Sequence, residues 1–97
     1  MLDGTGRSLG PVVDTYPWDG GGEPVLAVVR LPNLIGGTRM LRVADVEDEG
    51  FWLRTPFARW QVEDSPTCDG GRHAAEDPDR ALSYWLFEEP AGARWAS

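Results

Sequence analysis

Side chains able to carry out nucleophilic or metal chemistry are scarce in this sequence. It has one histidine, His73, and one cysteine, Cys68. A histidine that acts as a general base usually needs a second group to orient its ring, and His73 lies in a glycine-containing stretch that we expect to be a linker. One histidine and one cysteine cannot supply the three or four ligands of a typical zinc site. We therefore predict a non-enzymatic protein without catalytic residue, metal site or cofactor.

The single cysteine also indicates the redox state of the compartment in which the protein is expected to reside. No disulfide can form within the chain, so a reducing compartment is the simpler assumption. We expect Cys68 to be an incidental free thiol in an exposed linker, although a disulfide between two chains stays open.

An acidic run at residues 45–50 superficially resembles a calcium-binding loop, because acids alternate and Gly50 stands sixth. The closing glutamate of such a loop would fall at Pro56, and the residues that follow read as a strand rather than a helix. A solvated acidic turn is the favoured interpretation. Weak cation binding by residues 45–49 stays as the alternative.

Five tryptophans are many for a chain of 97 residues. Trp52 and Trp60 are predicted to help close the core, whereas Trp18 beside a turn and Trp95 near the end are harder to bury. Exposed aromatic side chains are typical of partner interfaces. The alternative is that Trp18 folds back on its hairpin and that Trp95 is disordered. The predicted partner interface combines these two tryptophans with two apolar residues at a loop tip and three on a helical stripe. Its residues are Trp18, Leu34, Ile35, Leu82, Trp85, Leu86 and Trp95.

The element that organises the chain is a predicted β-hairpin over residues 9–30. Its flanks are rich in β-branched and aromatic residues, and the Asp-Gly-Gly-Gly sequence at residues 19–22 suits a tight reversal. Residues 25–29 are apolar without alternation, which indicates a strand buried on both faces.

Further strands are predicted at residues 38–43 and 51–54, with a short edge strand at residues 1–2. Arg42 should need solvent or an acidic partner to keep its charge hydrated. Residues 56–62 could form about one helical turn, which Pro66 ends.

A C-terminal helix is predicted over residues 78–89. Asp77 is a good N-cap, Pro78 suits the first helical position, and Pro90 stops the helix. Its apolar residues at helical spacing form one stripe. The sequence leaves open whether this stripe covers its own chain or a second copy.

Charge narrows the class of partner. Nine basic against sixteen acidic residues give a net charge of −7, which disfavours nucleic acids and anionic membranes. No apolar run approaches the length of a membrane span, and the N-terminus lacks the pattern of a signal segment. We expect one cytoplasmic domain with a protein partner.

Five segments in order resemble the PRC-barrel family, the small β-barrel of the photosynthetic reaction-centre H subunit and the ribosome maturation factor. Residues 9–14 are similar to its opening motif and residues 22–29 to its following strand. Residues 36–41 and 43–46 are similar to the segments around a Val-Pro motif. Residues 56–66 are similar to its closing motif, which is the most distinctive. Arg42 departs from the pattern, because the family usually has proline there.

The resemblance implies a small antiparallel β-barrel that acts as an assembly module without an active site. We therefore predict a mainly β protein with a PRC-like barrel over residues 1–66, a linker over 67–76, and a C-terminal helix and tail over 77–97. The predicted function is protein interaction, with self-association as a homodimer. The alternative is a sensor that binds a small ligand or cation at the barrel mouth and the acidic loop 45–49.

Overall fold

Three antiparallel strands in the order β1–β2–β3 form the main sheet of the computed structural model. They are β1 (Val12–Tyr16), β2 (Leu26–Arg30) and β3 (Thr38–Arg42). The structure describes residues 1–16, 23–32, 37–68 and 76–90. The predicted pairing of the first two strands is confirmed, and their connecting turn lies outside the described residues.

β2 is the central strand, and its residues 26–29 are buried on both faces as the sequence predicts. Val25, which the prediction included, precedes the strand and is 48% exposed. Leu26 and Val28 pack with Met40 and Ala81, whereas Val29 packs into a second cluster with Leu9, Leu31, Leu41, Phe57, Val62 and Trp85. Side chains alternate across a strand, so an apolar run without alternation is stable only where both faces are covered.

The chain enters β1 so close to the end of β2 that only glycine fits. Gly10 has φ +151°, and a Cβ atom there would lie 1.8 Å from the carbonyl oxygen of Arg30. The Arg30 N–H donates to the carbonyl oxygen of Pro11 at 3.0 Å, which fixes this approach.

A short 3₁₀ turn (Val43–Asp45) connects the main sheet to a second, two-stranded sheet. This sheet is the hairpin of β4 (Glu47–Asp48) and β5 (Leu53–Arg54). Leu2 joins it, because its N–H donates to Leu53 O at 2.7 Å and its carbonyl accepts from Thr55 N at 3.0 Å. The predicted edge strand at residues 1–2 is thus present as isolated bridges at Leu2.

Two helices complete the described chain. α1 (Arg59–Asp64) begins later than predicted, and Gln61 Oε1 accepts a hydrogen bond from the Ala58 N–H at 2.9 Å at its start. α2 (Asp77–Leu86) ends three residues before the predicted end. Asp77 is its first residue rather than its cap, because Glu76 occupies the cap position. No helix in these described segments is long and apolar enough to cross a membrane.

The architecture is thus mostly β, with antiparallel sheets and a packed helix. Within the described segments the two sheets do not close into a barrel. The predicted linker also differs at its start: Thr67 forms a bridge with Arg39, and the Cys68 N–H donates to Thr38 O at 3.0 Å. Cys68 is half-buried against the core rather than exposed, because this hydrogen bond holds it at the sheet edge.

Both faces of β3 are covered as well. Arg39, Met40 and Leu41 are all buried, although the sequence alternates there. Burial lowers the pKa of Arg39, whose guanidinium donates to Thr38 O and Glu63 O, each at 3.2 Å. Arg42 meets Asp45, with Nε 2.7 Å from the carboxylate, so the predicted acidic partner exists.

Candidate interaction surface

Helix α2 packs Trp85 into the core of its own chain. Trp85 is 1% exposed, its ring centroid lies 4.4 Å from that of Phe57, and its Nε1–H donates to Met40 O at 2.7 Å. The prediction that Trp85 contributes to a partner interface is therefore corrected, because the ring is enclosed by its own core.

The other predicted interface residues divide into three groups. Leu82 is half-buried and packs against the core, while Leu86 is 68% exposed. Its neighbour Phe87, which the prediction omitted, is 84% exposed. Trp18, Leu34, Ile35 and Trp95 lie outside the described residues.

A larger exposed apolar surface lies on the β4–β5 hairpin, where the sequence predicted core residues. Phe51 is 97% exposed, Trp52 61% and Leu53 37%, and we call these three residues the apolar tip. Trp60 is also largely exposed. The prediction that Trp52 and Trp60 close the core is therefore wrong, because both residues are more than half exposed.

The turn that carries the apolar tip is held by defined contacts. Glu47 pairs with Arg54 and Asp48 with Leu53. The Asp48 carboxylate accepts from the Gly50 N–H at 2.9 Å, and the Glu49 N–H donates to Trp52 O at 2.8 Å. The exposed aromatic residues are thus presented by a hydrogen-bonded loop, which lowers the entropy cost of binding with them.

Three carboxylates adjoin the apolar tip, and we call Glu47, Asp48 and Glu49 the acidic collar. All three residues are exposed. Arg54 Nε lies 2.6 Å from a Glu49 carboxylate oxygen, so one of the three charges is partly balanced. The tip therefore combines apolar contact area with a negative surrounding.

A cleft lies beside the same hairpin, between it and the main sheet. We call this space of about 320 Å³ the hairpin cleft. Its lining is mainly aliphatic, with a hydroxyl and a carboxylate: Met1, Val12, Thr15, Pro24, Ala27, Val43, Val46, Asp48 and Leu53. Asp48 and Leu53 belong both to the hairpin and to the wall of the cleft.

The acidic loop offers less to a cation than its sequence suggests. Asp45 is engaged by Arg42 and Glu49 by Arg54. No group of three histidine, cysteine, aspartate or glutamate side chains that could hold a metal ion occurs in the part of the chain that the structure describes.

Buried polar side chains elsewhere hold the fold together. The Asp3 carboxylate accepts from Thr5 N–H, Thr5 hydroxyl and Arg7 N–H at 2.6–3.0 Å, which closes a turn. Gln61 Nε2 donates to Glu88 Oε2 at 3.0 Å and to Glu89 O at 2.6 Å, which ties α1 to the chain after α2. These contacts satisfy the buried side chains of Asp3 and Gln61.

Comparison with protein-family models, with curated proteins and with solved structures finds no match to this chain. Function must therefore be inferred from the surface that the chain itself presents.

Proposed function

We propose that this protein is a non-enzymatic interaction module that self-associates as a symmetric dimer through the apolar tip. The observation that carries the proposal is the exposure of Phe51 and Trp52 at the end of a hydrogen-bonded hairpin.

The energetic reason lies in the type and position of these side chains. A large apolar side chain contributes roughly 1.5–3 kcal/mol when it is removed from water. Aromatic residues are enriched at the cores of protein interfaces, where a few of them supply most of the binding energy. Two such rings on one ordered loop favour a contact surface over an accidental exposure.

The resemblance to the PRC-barrel family supports the same class of function. Its members use a small barrel for assembly, and we propose that this chain has that architecture. The antiparallel order β1–β2–β3 and the bridge of Leu2 to Arg54 of the second sheet are compatible with a partly rolled barrel. A protein partner of another kind would use the same surface.

A second candidate function is ligand sensing, which the hairpin cleft favours. Its lining would select a small apolar compound rather than a cation. A thermal-shift screen separates the two functions, since a ligand bound only to the folded state raises the melting temperature by mass action. A large specific shift with one apolar compound would support ligand sensing at the hairpin cleft. A shift with a divalent cation would support cation binding by the acidic loop 45–49.

Light scattering coupled to size-exclusion chromatography tests self-association on the full chain. We expect the native chain to run as a dimer at micromolar concentration and the double variant Phe51→Ser, Trp52→Ser as a monomer. Because association stabilises the folded state, the unfolding midpoint of the variant should equal that of the native chain only at concentrations where the native chain is monomeric. The matched control is Leu86→Ser, Phe87→Ser, which removes comparably exposed side chains from the last residue of α2 and the residue after it and should remain dimeric. A native chain that is monomeric at all accessible concentrations would contradict the proposal.

A further inference from the structure

We infer that Phe51 and Trp52 of one copy fill the hairpin cleft of a second copy, and that the exchange is reciprocal about a twofold axis. This inference rests on the proposed self-association and specifies its geometry.

The first argument is the placement of the tip and the cleft on one hairpin. Asp48 and Leu53 form a cross-strand pair and also line the cleft, and the loop between them carries Phe51 and Trp52. A twofold interface requires one patch to be complementary to itself. A projecting group directly beside a recess meets that requirement, because each copy then offers both to the other.

The second argument is size and chemistry. At about 320 Å³ the cleft lies at the lower end of the roughly 300–1,000 Å³ typical of ligand pockets, which suits aromatic side chains rather than a large ligand. Phe51 enters first, because it is the most exposed residue of the tip. The indole N–H of Trp52 then finds acceptors in the Thr15 hydroxyl and the Asp48 carboxylate of the lining.

The third argument is area. Aromatic side chains bury roughly 150–250 Å² each. Four rings, with the cleft walls that they cover, approach the roughly 1,200–2,000 Å² of a specific interface. Insertion of one tip alone would give about half of this area, so the reciprocal arrangement is favoured.

The acidic collar supplies a signature that separates a second copy from a basic partner. Reciprocal insertion brings the two collars together, and each copy carries a net charge of −7. The repulsion is screened over about 10 Å at 0.1 M salt and about 3 Å at 1 M. The dimer should therefore tighten as salt rises, by about threefold or more, whereas a complex with a basic partner would weaken.

Disulfide trapping between two single-cysteine variants tests the geometry. Both variants carry Cys68→Ser; one adds Phe51→Cys and the other Thr15→Cys, an exposed residue at the cleft wall. On mild oxidation of the mixture we expect the mixed disulfide to form at least about tenfold faster than with a Ser83→Cys control on the exposed side of α2. An equal rate overturns the inference.

A variant that blocks the cleft separates this inference from the proposed function. Thr15→Tyr adds a ring at an exposed position of the lining, so folding should be unchanged while the dimer dissociation constant rises at least about tenfold. A dimer that depends on Phe51 and Trp52 but tolerates Thr15→Tyr overturns the reciprocal insertion and leaves self-association standing. A dimer that weakens with salt also overturns the inference, and a monomeric native chain overturns both.

Discussion

Trp85 and Trp52 occupy opposite environments in the same small chain. Trp85 is 1% exposed and has an aromatic neighbour on each of two sides, with Phe57 at 4.4 Å and Tyr84 edge-on at 4.8 Å. Trp52 is 61% exposed on a hairpin whose strands are two residues long. One tryptophan belongs to the core and the other belongs to the surface that we assign to binding.

The difference shows that element length decides the role of an aromatic residue here. α2 has ten residues and meets β3 along one face, so it encloses a large ring. The β4–β5 hairpin pairs only two residues on each side, and its loop residues Phe51 and Trp52 are largely exposed. We therefore expect substitutions in α2 to change stability and substitutions at the tip to change association.

The largest expected effect is that of Trp85→Ala. It leaves a cavity beside Phe57 and removes the hydrogen bond to the Met40 carbonyl, so the free energy of unfolding should fall by about 3–5 kcal/mol. Denaturant unfolding followed by circular dichroism measures the change. The matched control Trp52→Ala should cost less than about 1 kcal/mol in the monomeric range. If Trp85→Ala and Trp52→Ala lowered the free energy of unfolding equally, the distinction between the core around Trp85 and the exposed hairpin would be wrong.

A second pair of variants compares glycines in the same two regions. Gly10→Ala forces a Cβ atom to within 1.8 Å of a backbone oxygen and should destabilise the fold by about 3 kcal/mol or more. Gly50→Ala at the tip has φ +92° but no atom within 4 Å of the added carbon. It should therefore cost only about 1 kcal/mol, from backbone strain alone. Melting temperatures of both variants check this order, and a reversed order would contradict it.

The third prediction concerns the dependence of stability on pH beside Trp85. Burial, with added repulsion from Glu88 and Asp64, raises the pKa of Tyr84 to about 12. An unfolded tyrosine loses its proton near pH 10, so between about pH 10 and 12 the unfolded state binds fewer protons and stability falls as pH rises. Below about pH 10 this contribution is fully present.

The variant Tyr84→Phe tests whether the Tyr84 proton causes this fall of stability as pH rises. The variant should lose the hydrogen bond to Gln61 O, worth about 1 kcal/mol, and should show a shallower decline of stability than the native chain above about pH 10. Urea midpoints of both proteins at about pH 9 and pH 11 provide the measurement. Identical slopes would show that the Tyr84 proton is not linked to folding.

The smallest expected effect is at the hairpin. Glu49→Gln removes the ion pair with Arg54, whose side chains are both more than one-third exposed. Such surface pairs contribute about 0.2–1 kcal/mol, so the unfolding midpoint should hardly move. If the free energy of unfolding of the variant instead fell by more than about 2 kcal/mol, the hairpin would contribute to the stability of the core, contrary to the comparison above.

Local sequence signals predicted much of the framework. The uninterrupted apolar residues of β2 predicted a strand covered on both faces, and Leu26, Ala27, Val28 and Val29 are buried. Pro78 and the periodic apolar residues predicted α2, with an error of a few residues at its end. These signals succeed because strand and helix formation depend on residues that are close together in the sequence.

The candidate site was predicted less well, because exposure is set by contacts between distant segments. Phe51, Trp52 and Leu53 have the composition of a core strand, and one signal against that interpretation was the acidic run directly before them. Their exposure shows that, within the described segments, the two-residue ladder is not covered as a core strand would be. The predicted residues of the loop tip and the C-terminal tail lie outside the described chain, so their part in an interface stays a prediction.

The sequence by itself thus determined the apolar centre, the position of the C-terminal helix to within a few residues, and the acidic charge of this protein, since each depends on local composition. Tertiary structure decided that Trp85 is enclosed, that Trp52 is presented to solvent, and that Thr67 and Cys68 join the sheet edge. The physical reason is that a side chain's propensity is fixed by its own chemistry, whereas its burial depends on which distant residues pack against it.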